Sequence, residues 1–265
     1  MEKDFRKTNF ITGAVITGII LAAAVMSFFY LPCDPNAMDS TLKFAGVSAR
    51  HIMGCDNFGR DVFSRVLLGS RNTLTVAVGT VGIGCGAGVI IGALTGYYGG
   101  IVDQVLMRIN DALFAFPSIL LALVFVSLFG SGKYRIILAL GIAFIPSFTR
   151  MVRSQFIKCK YMDYVSSARL QGAGDLRIMF FHILPNIKSV LLPSVLIGFN
   201  NAVLAEAGMS YLGIGVQPPD ASLGRMLSEA QAYIAVAPAY ALFPGLVIIL
   251  MVLGFGLMGE GVKIK

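Results

Sequence analysis

The sequence has 265 residues, of which 56% are hydrophobic and only 13% are charged, and its formal net charge is +7. This composition excludes an ordinary soluble domain and predicts an integral membrane protein. Nucleic acid is not expected as a partner, because basic residues beside membrane spans usually report orientation across the bilayer.

Apolar runs predict an all-α membrane protein with six transmembrane helices, since a spanning helix needs about 20 apolar residues. The weakest run, 136–148, is short, so its helix must either extend through 149–152 or lie inside the bundle. A five-span reading therefore stays open. The runs are 10–31, 73–98, 112–129, 136–148, 187–211 and 240–258.

The first run predicts a retained span, because it is longer than a signal-peptide core and lacks a small-x-small exit. With the N-terminus inside, most basic residues fall in cytoplasmic segments, as the positive-inside rule requires. We therefore expect a multi-pass membrane protein with both termini cytoplasmic.

The polar segment 32–71 then lies outside the membrane, and its clustered polar residues invite a metal assignment. His51, Cys55, Asp56 and Asp61 are close in sequence, but their spacing fits no metal pattern, and turn-capping or solvated roles are expected instead. No metal site is predicted. The segment contains one other cysteine, Cys33, and a disulfide between Cys33 and Cys55 stays open.

Four glycines repeat every four residues along the second run, which predicts a groove for close approach of another helix. A nucleotide-binding loop competes with this interpretation. It fails because no G-x-G-x-x-G spacing follows a strand, and Gly130-Ser131-Gly132-Lys133 lacks the upstream glycine of a phosphate loop. The chain is expected to bind no ATP. The groove consists of Gly84, Gly88, Gly92 and Gly96.

The segment between the second and third runs carries Asp103, Arg108 and Asp111 along one side of a predicted helix. An interfacial set of ion pairs is the simpler interpretation, and a gating role competes with it.

A polar insert between the fourth and fifth runs predicts two short helices joined by a glycine elbow. The first covers 163–171, Gly172 and Gly174 break it, and Asp175 is a suitable N-cap for the second. Pro185 stops the second helix or marks the start of the fifth span. Its apolar ridge either packs on the bundle or docks another protein. The ridge consists of Leu176, Met179, Phe180 and Ile183.

Polar groups inside spans are costly in lipid, so they tend to face the bundle interior or a water-filled path. Interhelical hydrogen bonding explains the asparagines equally well. The candidates for the path are Ser147, Thr149, Asn200, Asn201 and Glu206.

The insert resembles the loop of ABC-importer permeases, whose consensus is Glu-Ala-Ala, three residues, Gly, nine residues, Ile, one residue, Leu-Pro. Here Ser166-Ser167-Ala168, Gly172, His182 and Leu184-Pro185 keep that spacing. Two serines and the histidine depart from the consensus. In the family this loop forms coupling helices that dock in a groove of an ATPase subunit.

Motifs along nearly the whole chain are similar to the C-type permease of dipeptide, oligopeptide and nickel importers. Cys55, where the family usually has threonine, and the absence of tryptophan depart from it. The resemblance implies a type I-like permease of a bacterial or archaeal cell membrane, with six spans and cytoplasmic coupling helices. It divides the chain into 1–71, an N-terminal span with an extracytoplasmic segment, and 72–265, a permease core with its coupling loop at 153–185. The motifs are 53–65, 96–100 with Asp103, 107–108 with Asp111, 115–118, 206–219, 243–245 and 259–261.

The resemblance further implies a pore subunit of an ATP-driven importer, for di- or oligopeptides or alternatively for nickel or a metal chelate. ATP and Mg²⁺ would bind to partner ATPases, and no cofactor or catalytic residue is expected in this chain. Its partners would be a second permease, two ATPase subunits, an external binding protein and the lipid bilayer. The residues implied in coupling are Ser166, Ser167, Ala168, Gly172, Gly174, Asp175, Leu176, Phe180, His182, Leu184 and Pro185.

Two alternatives come from other classes. A stand-alone secondary transporter also suits six spans with broken helices. An intramembrane enzyme is disfavoured, because no convincing pair of catalytic groups lies at membrane depth. Neither alternative explains the glycine elbow.

Overall fold

A computed structural model of the chain describes residues 2–262, with side chains from Arg6 onward. Within that range the chain forms no strand beyond an isolated bridge between Cys55 and Asp61, which confirms the all-α prediction. Met1 and the basic tail 263–265 lie outside the described residues. The α-helices are α1 (Glu2–Met26), α2 (Val62–Tyr98), α3 (Gly100–Phe114), α4 (Ser118–Phe129), α5 (Lys133–Cys159), α6 (Asp163–Leu170), α7 (Asp175–Arg177), α8 (Lys188–Tyr211), α9 (Leu223–Ala230) and α10 (Pro238–Gly261).

Among the described residues, five helical segments are long and apolar enough to cross a membrane, or six if the bent pair of α3 and α4 counts as one span. The third predicted span, 112–129, is therefore not a single helix, because α3 and α4 are bent by 92° between Phe114 and Ser118. Pro117 disfavours helical backbone at Phe116 and fits only before or at the start of α4. The 12 residues of α4 reach about 18 Å at ~1.5 Å per residue. Alone, α4 is too short for a hydrocarbon core of ~30 Å.

The longest helix, α2, has 37 residues and measures about 55 Å, well beyond the thickness of the hydrocarbon core. It begins at Val62 because the Asp61 carboxylate accepts a 2.7 Å hydrogen bond from the Ser64 amide. Residues 62–71, the end of the predicted polar segment 32–71, thus belong to α2, and the expected boundary at 71/72 falls inside this helix. We call the end of the bundle at Val62 the loop end and the end at Tyr98 the elbow end.

Helix α5 lies against the glycine groove of α2, and all four glycines are buried. A Cβ at Gly92 would lie 2.7 Å from the Thr149 carbonyl oxygen, and one at Gly96 would lie 2.6 Å from the Phe156 Cβ. Helix α5 has 27 residues, which extends the weak run 136–148 at both ends. This close packing buries Pro146 within the bundle, where irregular backbone is tolerated.

At the elbow end α6 agrees closely with the predicted first helix. The second part differs, because α7 passes into a π-helix, Ile178–Ile183, and a 3₁₀-helix, Leu184–Ile187, before α8 begins. Pro185 lies just after the end of the π-helix, in the first turn of the 3₁₀-helix that leads into α8, where its missing N–H is not required. It therefore stands at the entry to the fifth span, as one of its two predicted roles requires. Gly174, not Asp175, is the N-cap residue of α7.

Two hydrophobic clusters stabilise the bundle. The larger runs along the spans and α9, and the smaller lies at the elbow end. In the smaller cluster Phe156 of α5 packs with Val165 of α6 and with Met179 and Ile183 of the π-helix, all of them buried. The elbow is therefore attached to the spans through a packed core.

Candidate functional site

The elbow turns at one residue, Gly172, which has φ +81° and no neighbouring heavy atom within 4 Å of a Cβ built there. Two hydrogen bonds close the turn, from the Gly172 amide to the Arg169 carbonyl and from the Ala173 amide to the Ala168 carbonyl, each 3.0 Å long. Gly174 has φ −69°, which any residue adopts. The requirement for glycine thus falls on Gly172 alone.

One side of the elbow is apolar and exposed. Leu176 and Phe181 are 64% and 76% exposed, and with Arg177 and Phe180 they line an open depression of about 530 Å³. We call these four residues the elbow surface. Ser166 and Ser167 on α6 are also exposed, as is Pro185, while His182 and Leu184 are half-buried and Ala168 is buried.

The predicted apolar ridge is divided between two sides of the element. Met179 and Ile183 are fully buried in the elbow-end core, whereas Leu176 and Phe181 both point outward. In an α-helix, with 3.6 residues per turn, Phe181 would not lie on the same face as Leu176. The π-helix explains this, because its i→i+5 bonding brings residues five apart onto one face. The sequence offers no clear signal for a π-turn, so Phe181 and Arg177 are absent from the predicted set.

Tyr97 connects the end of α2 to both sides of the elbow. Its hydroxyl donates a 2.6 Å hydrogen bond to Asp175 Oδ1 and accepts a 2.9 Å bond from Arg169 Nη2. The Asp175 carboxylate, expected to cap a helix, therefore binds a tyrosine of another helix. Only the fold brings these groups together, since Tyr97 lies more than seventy residues from either partner.

Helix α3 is attached to α5 near the same end. Arg153 donates two hydrogen bonds of 2.6 Å, one from each of two guanidinium nitrogens, to the Asp103 carboxylate, and Arg150 forms a 2.7 Å ion pair with Asp111. Two of the three charged residues singled out on this helix thus pair across helices. Their geometry is that of an interhelical set of ion pairs.

A cavity of about 520 Å³ opens between α4, α5 and α8. Its polar lining includes Ser147 and Asn201, two of the five path candidates, together with Ser118 and Ser194. Phe144 and Phe148 are among its apolar residues. The cavity is open on one side.

The other three path candidates do not line this cavity. Thr149 is fully buried under the glycine groove, and Asn200 faces α10, since a Cβ at Gly256 would lie 3.2 Å from its Nδ2 atom. Glu206 is fully buried and accepts hydrogen bonds of 2.6 Å from Thr73 and Ser210. Adjacent residues on α8 face different neighbours, so polarity within a span does not by itself identify a cavity-lining side chain.

At the loop end, Asp56 and Asp61 have capping roles. Asp56 Oδ1 accepts from the Phe58 and Arg60 amides at 2.8 and 2.9 Å, and Asp61 caps α2. Asp56 Oδ2 accepts a further 2.6 Å bond from Arg60 Nε, which leaves the Arg60 Nη2 atom free to bind another element.

The loop end is joined to α9 by a charged network around Glu229. Arg60 and Arg65 donate to Glu229 Oε2 at 2.9 and 3.3 Å, and the Tyr240 hydroxyl donates to the same atom at 3.1 Å. Burial raises the pKa of Glu229, but Arg65 and Arg60 outweigh burial and hold it below its ordinary value of 4.5. The carboxylate is therefore charged at neutral pH.

Cys33, rather than Cys55, joins His51 and Asp61 at the loop end. One sulfur, one imidazole nitrogen and one carboxylate oxygen of these residues all lie within 4.8 Å of one another. All four cysteines are free thiols, and burial, followed by Asp61, raises the pKa of Cys55 to about 11. Sequence spacing missed this grouping because Cys33 approaches from the far end of the loop.

Comparison with known proteins gives concordant matches. A family described as "Binding-protein-dependent transport system inner membrane component" matches residues 88–262, a range that contains the elbow and the cavity. The chain is 40% identical over 246 residues to the glutathione transport system permease protein GsiD of Pectobacterium atrosepticum, covering 92% of this chain and 82% of the relative. It is 35% identical over 257 residues to the dipeptide transport system permease protein DppC of Haemophilus influenzae, covering 95% and 87%. A GsiD of Escherichia coli is 40% identical over 263 residues, covering 98% and 87%.

Proposed function

This chain belongs to the family of binding-protein-dependent transport system inner membrane components, and from that premise we propose that it forms one half of the membrane pathway of an ATP-driven importer of short peptides. A second, homologous permease completes the pathway. Two ATPase subunits bind ATP and Mg²⁺, and an external binding protein delivers the peptide. The chain itself has no cofactor and no ATPase site in this proposal.

The exposed elbow surface is the observation that carries the coupling role. Leu176 and Phe181 project from an element whose other side is packed against the spans, so an apolar patch exposed on a rigid element is suited to protein docking. We assign this surface to the ATPase subunit, with Ser166, Ser167 and Gly172 shaping its α6 side. The elbow end and both termini are then cytoplasmic, and the loop end faces the binding protein.

Force from the ATPase has two routes into the bundle. One is the packed core around Phe156, and the other is the hydrogen-bonded link from Asp175 and Arg169 to Tyr97 on α2. Because α2 and α5 pack closely along the glycine groove, displacement of the elbow tilts both helices together. This is rigid-body alternating access driven by a partner.

The cavity supports a peptide as the substrate class. Relatives of this chain bear the names of dipeptide and glutathione permeases, and its cavity combines serine hydroxyls and the Asn201 amide with aromatic surface. Such a lining offers donors and acceptors for peptide groups. Among the described residues that line it there is no histidine, cysteine or carboxylate, which favours a peptide over a bare nickel ion.

The proposal is tested by co-purification of the ATPase with the complete complex carrying Phe181→Asp. A charge in a desolvated apolar contact should lower ATPase retention and binding-protein-stimulated ATP hydrolysis by at least about tenfold, or ~1.4 kcal/mol. Val236→Asp is the matched control, since Val236 is 72% exposed but lies beyond α9. Full retention and stimulation in a Leu176→Asp/Phe181→Asp variant would refute the docking role. Peptide uptake driven by an ion gradient without ATP would instead establish a secondary transporter.

A further inference from the structure

Three side chains of types that can bind metal ions lie together at the loop end. Cys33, His51 and Asp61 each offer one donor atom, and the three atoms lie within 4.8 Å of one another. His51 and Asp61 are buried, at 8% and 3% exposure, and Cys33 is half-buried. These residues come from the start, the middle and the end of the segment between α1 and α2.

Hydrogen bonds outside the cluster hold each residue in place. The Cys33 amide donates to Ser64 Oγ at 3.0 Å, and the His51 amide donates to Ser48 Oγ at 3.0 Å. Asp61 Oδ2 accepts from the Ser64 amide while Asp61 Oδ1 lies 2.9 Å from His51 Nδ1. Little conformational freedom therefore remains to be lost when a ligand binds.

His51 supplies the second observation that points to a ligand. Its Nε2 atom is buried and has no hydrogen-bond partner. With Nδ1–H donating to Asp61, Nε2 carries a lone pair, and a buried polar atom without a partner destabilises the folded state. A carboxylate that fixes an imidazole through one nitrogen is the arrangement that typically prepares the other nitrogen for a metal.

We propose that Cys33, His51 and Asp61 form a binding site for a borderline-soft divalent cation of the Zn²⁺ class. The Cys33 sulfur and the His51 Nε2 atom are its two strong donors, and Asp61 orients the imidazole through Nδ1 without binding the cation itself. Water completes the coordination. Sulfur with nitrogen selects zinc-like ions over Mg²⁺ and Ca²⁺, which prefer oxygen ligands.

The bound cation cross-links the loop. It ties residue 33 to His51, whose ring is held by Asp61, the residue that caps α2. The Arg60–Glu229 contact ties the same loop to α9. Because the folded loop presents the donors together and the unfolded loop does not, binding stabilises the loop end. The proposal concerns this site only and does not depend on which substrate crosses the cavity.

The purified complex is dialysed against Zn²⁺ alone, and metal per permease chain is measured by plasma mass spectrometry. Wild type should retain about one Zn²⁺, and Co²⁺ in its place should show a thiolate charge-transfer band. Cys33→Ser should remove the band and weaken Zn²⁺ binding at least tenfold. His51→Asn should do the same to binding while its amide nitrogen still donates to Asp61. Cys85→Ser, in the α2 span, is the matched control and should behave as wild type.

Two results would overturn the site. One is unchanged Zn²⁺ stoichiometry and affinity in both Cys33→Ser and His51→Asn. The other is a disulfide between Cys33 and Cys55 in the untreated complex, detected by non-reducing peptide mapping, together with an absence of Zn²⁺ binding. Because neither readout involves transport or the ATPase, failure of this site is distinguishable from failure of the proposed function.

Discussion

The Tyr97 hydroxyl donates a 2.6 Å hydrogen bond to the Asp175 carboxylate and thereby joins the last turn of α2 to the first turn of α7. Arg169, on the other side of the elbow, donates to the same hydroxyl. One side chain thus links a transmembrane helix to both sides of the element that we assign to the ATPase. Tyr97 is a positioning residue in this arrangement.

Replacing Tyr97 with phenylalanine should uncouple the complex without unfolding it, because the ring still fills the elbow-end core. The lost bonds involve charged groups and contribute ~1.5–3 kcal/mol each. We expect binding-protein-stimulated ATP hydrolysis to fall about tenfold in nanodiscs, with basal hydrolysis and ATPase retention unchanged. Tyr98→Phe, at the exposed neighbouring residue, is the control. Wild-type stimulation in Tyr97→Phe would show that the link transmits nothing.

The two elbow glycines should differ in their tolerance of alanine. Gly172 has φ +81°, so Gly172→Ala forces a left-handed residue at a cost of ~1–2 kcal/mol. Gly174 has φ −69°, and Gly174→Ala should change stability by less than about 0.5 kcal/mol. Because a Cβ added at either glycine would meet no atom within 4 Å, the backbone conformation alone determines how much each alanine destabilises the elbow. Stimulated hydrolysis should drop in the first variant only, and equal effects would remove Gly172 as the turning residue.

Local features of the chain were predictable, and contacts between distant residues were not. The four-residue glycine period gave the α2 groove, and the Gly172–Gly174 pair gave the elbow. Pro117 is a break signal inside the run 112–129 that hydropathy alone passed over. By contrast, Phe181 became exposed beside Leu176 only through a π-turn, and Asn200 and Asn201 share a polarity but face different neighbours. Arg60 and Glu229 lie 169 residues apart, so only the fold brings them together.

The glycine groove should resist even one methyl group. A Cβ at Gly92 would lie 2.7 Å from a backbone oxygen and 3.0 Å from a backbone nitrogen of α5, so Gly92→Ala should destabilise the bundle by ~1–3 kcal/mol. Gly86→Ala on the same helix is the control, because nothing lies within 4 Å of its Cβ position. The thermal midpoint of the detergent-solubilised complex measures both. An unchanged midpoint in Gly92→Ala would mean that α5 does not contact α2 at this residue.

The network around Glu229 should make the loop end sensitive to acid. Because the folded-state pKa of Glu229 lies below its ordinary value of 4.5, folding favours the charged form. Its stabilising effect is complete above pH 4.5 and is lost as the pH falls through the folded pKa. Wild type should therefore lose thermal stability in that acidic range, and Glu229→Gln should be less stable at neutral pH and less sensitive to acid. Glu260→Gln, at an exposed carboxylate, is the control. Parallel pH profiles of wild type and Glu229→Gln would contradict the network.

Substitutions at Asn200 and Asn201 should distinguish a residue that lines the pathway from one that packs between helices. Asn201 is exposed and lines the cavity. Asn201→Leu should raise the KM for peptide uptake several-fold, because one amide that binds peptide groups is lost. The thermal midpoint of this variant should be unchanged. Asn200 faces α10 and its Oδ1 atom is buried without a partner. Asn200→Leu removes that unsatisfied atom, so uptake should persist and stability should be equal or higher. Uptake kinetics in proteoliposomes and melting of the same preparations measure the two effects. If Asn200→Leu alone altered the KM, the pathway would lie on the α10 side of α8 and not in the cavity between α4, α5 and α8.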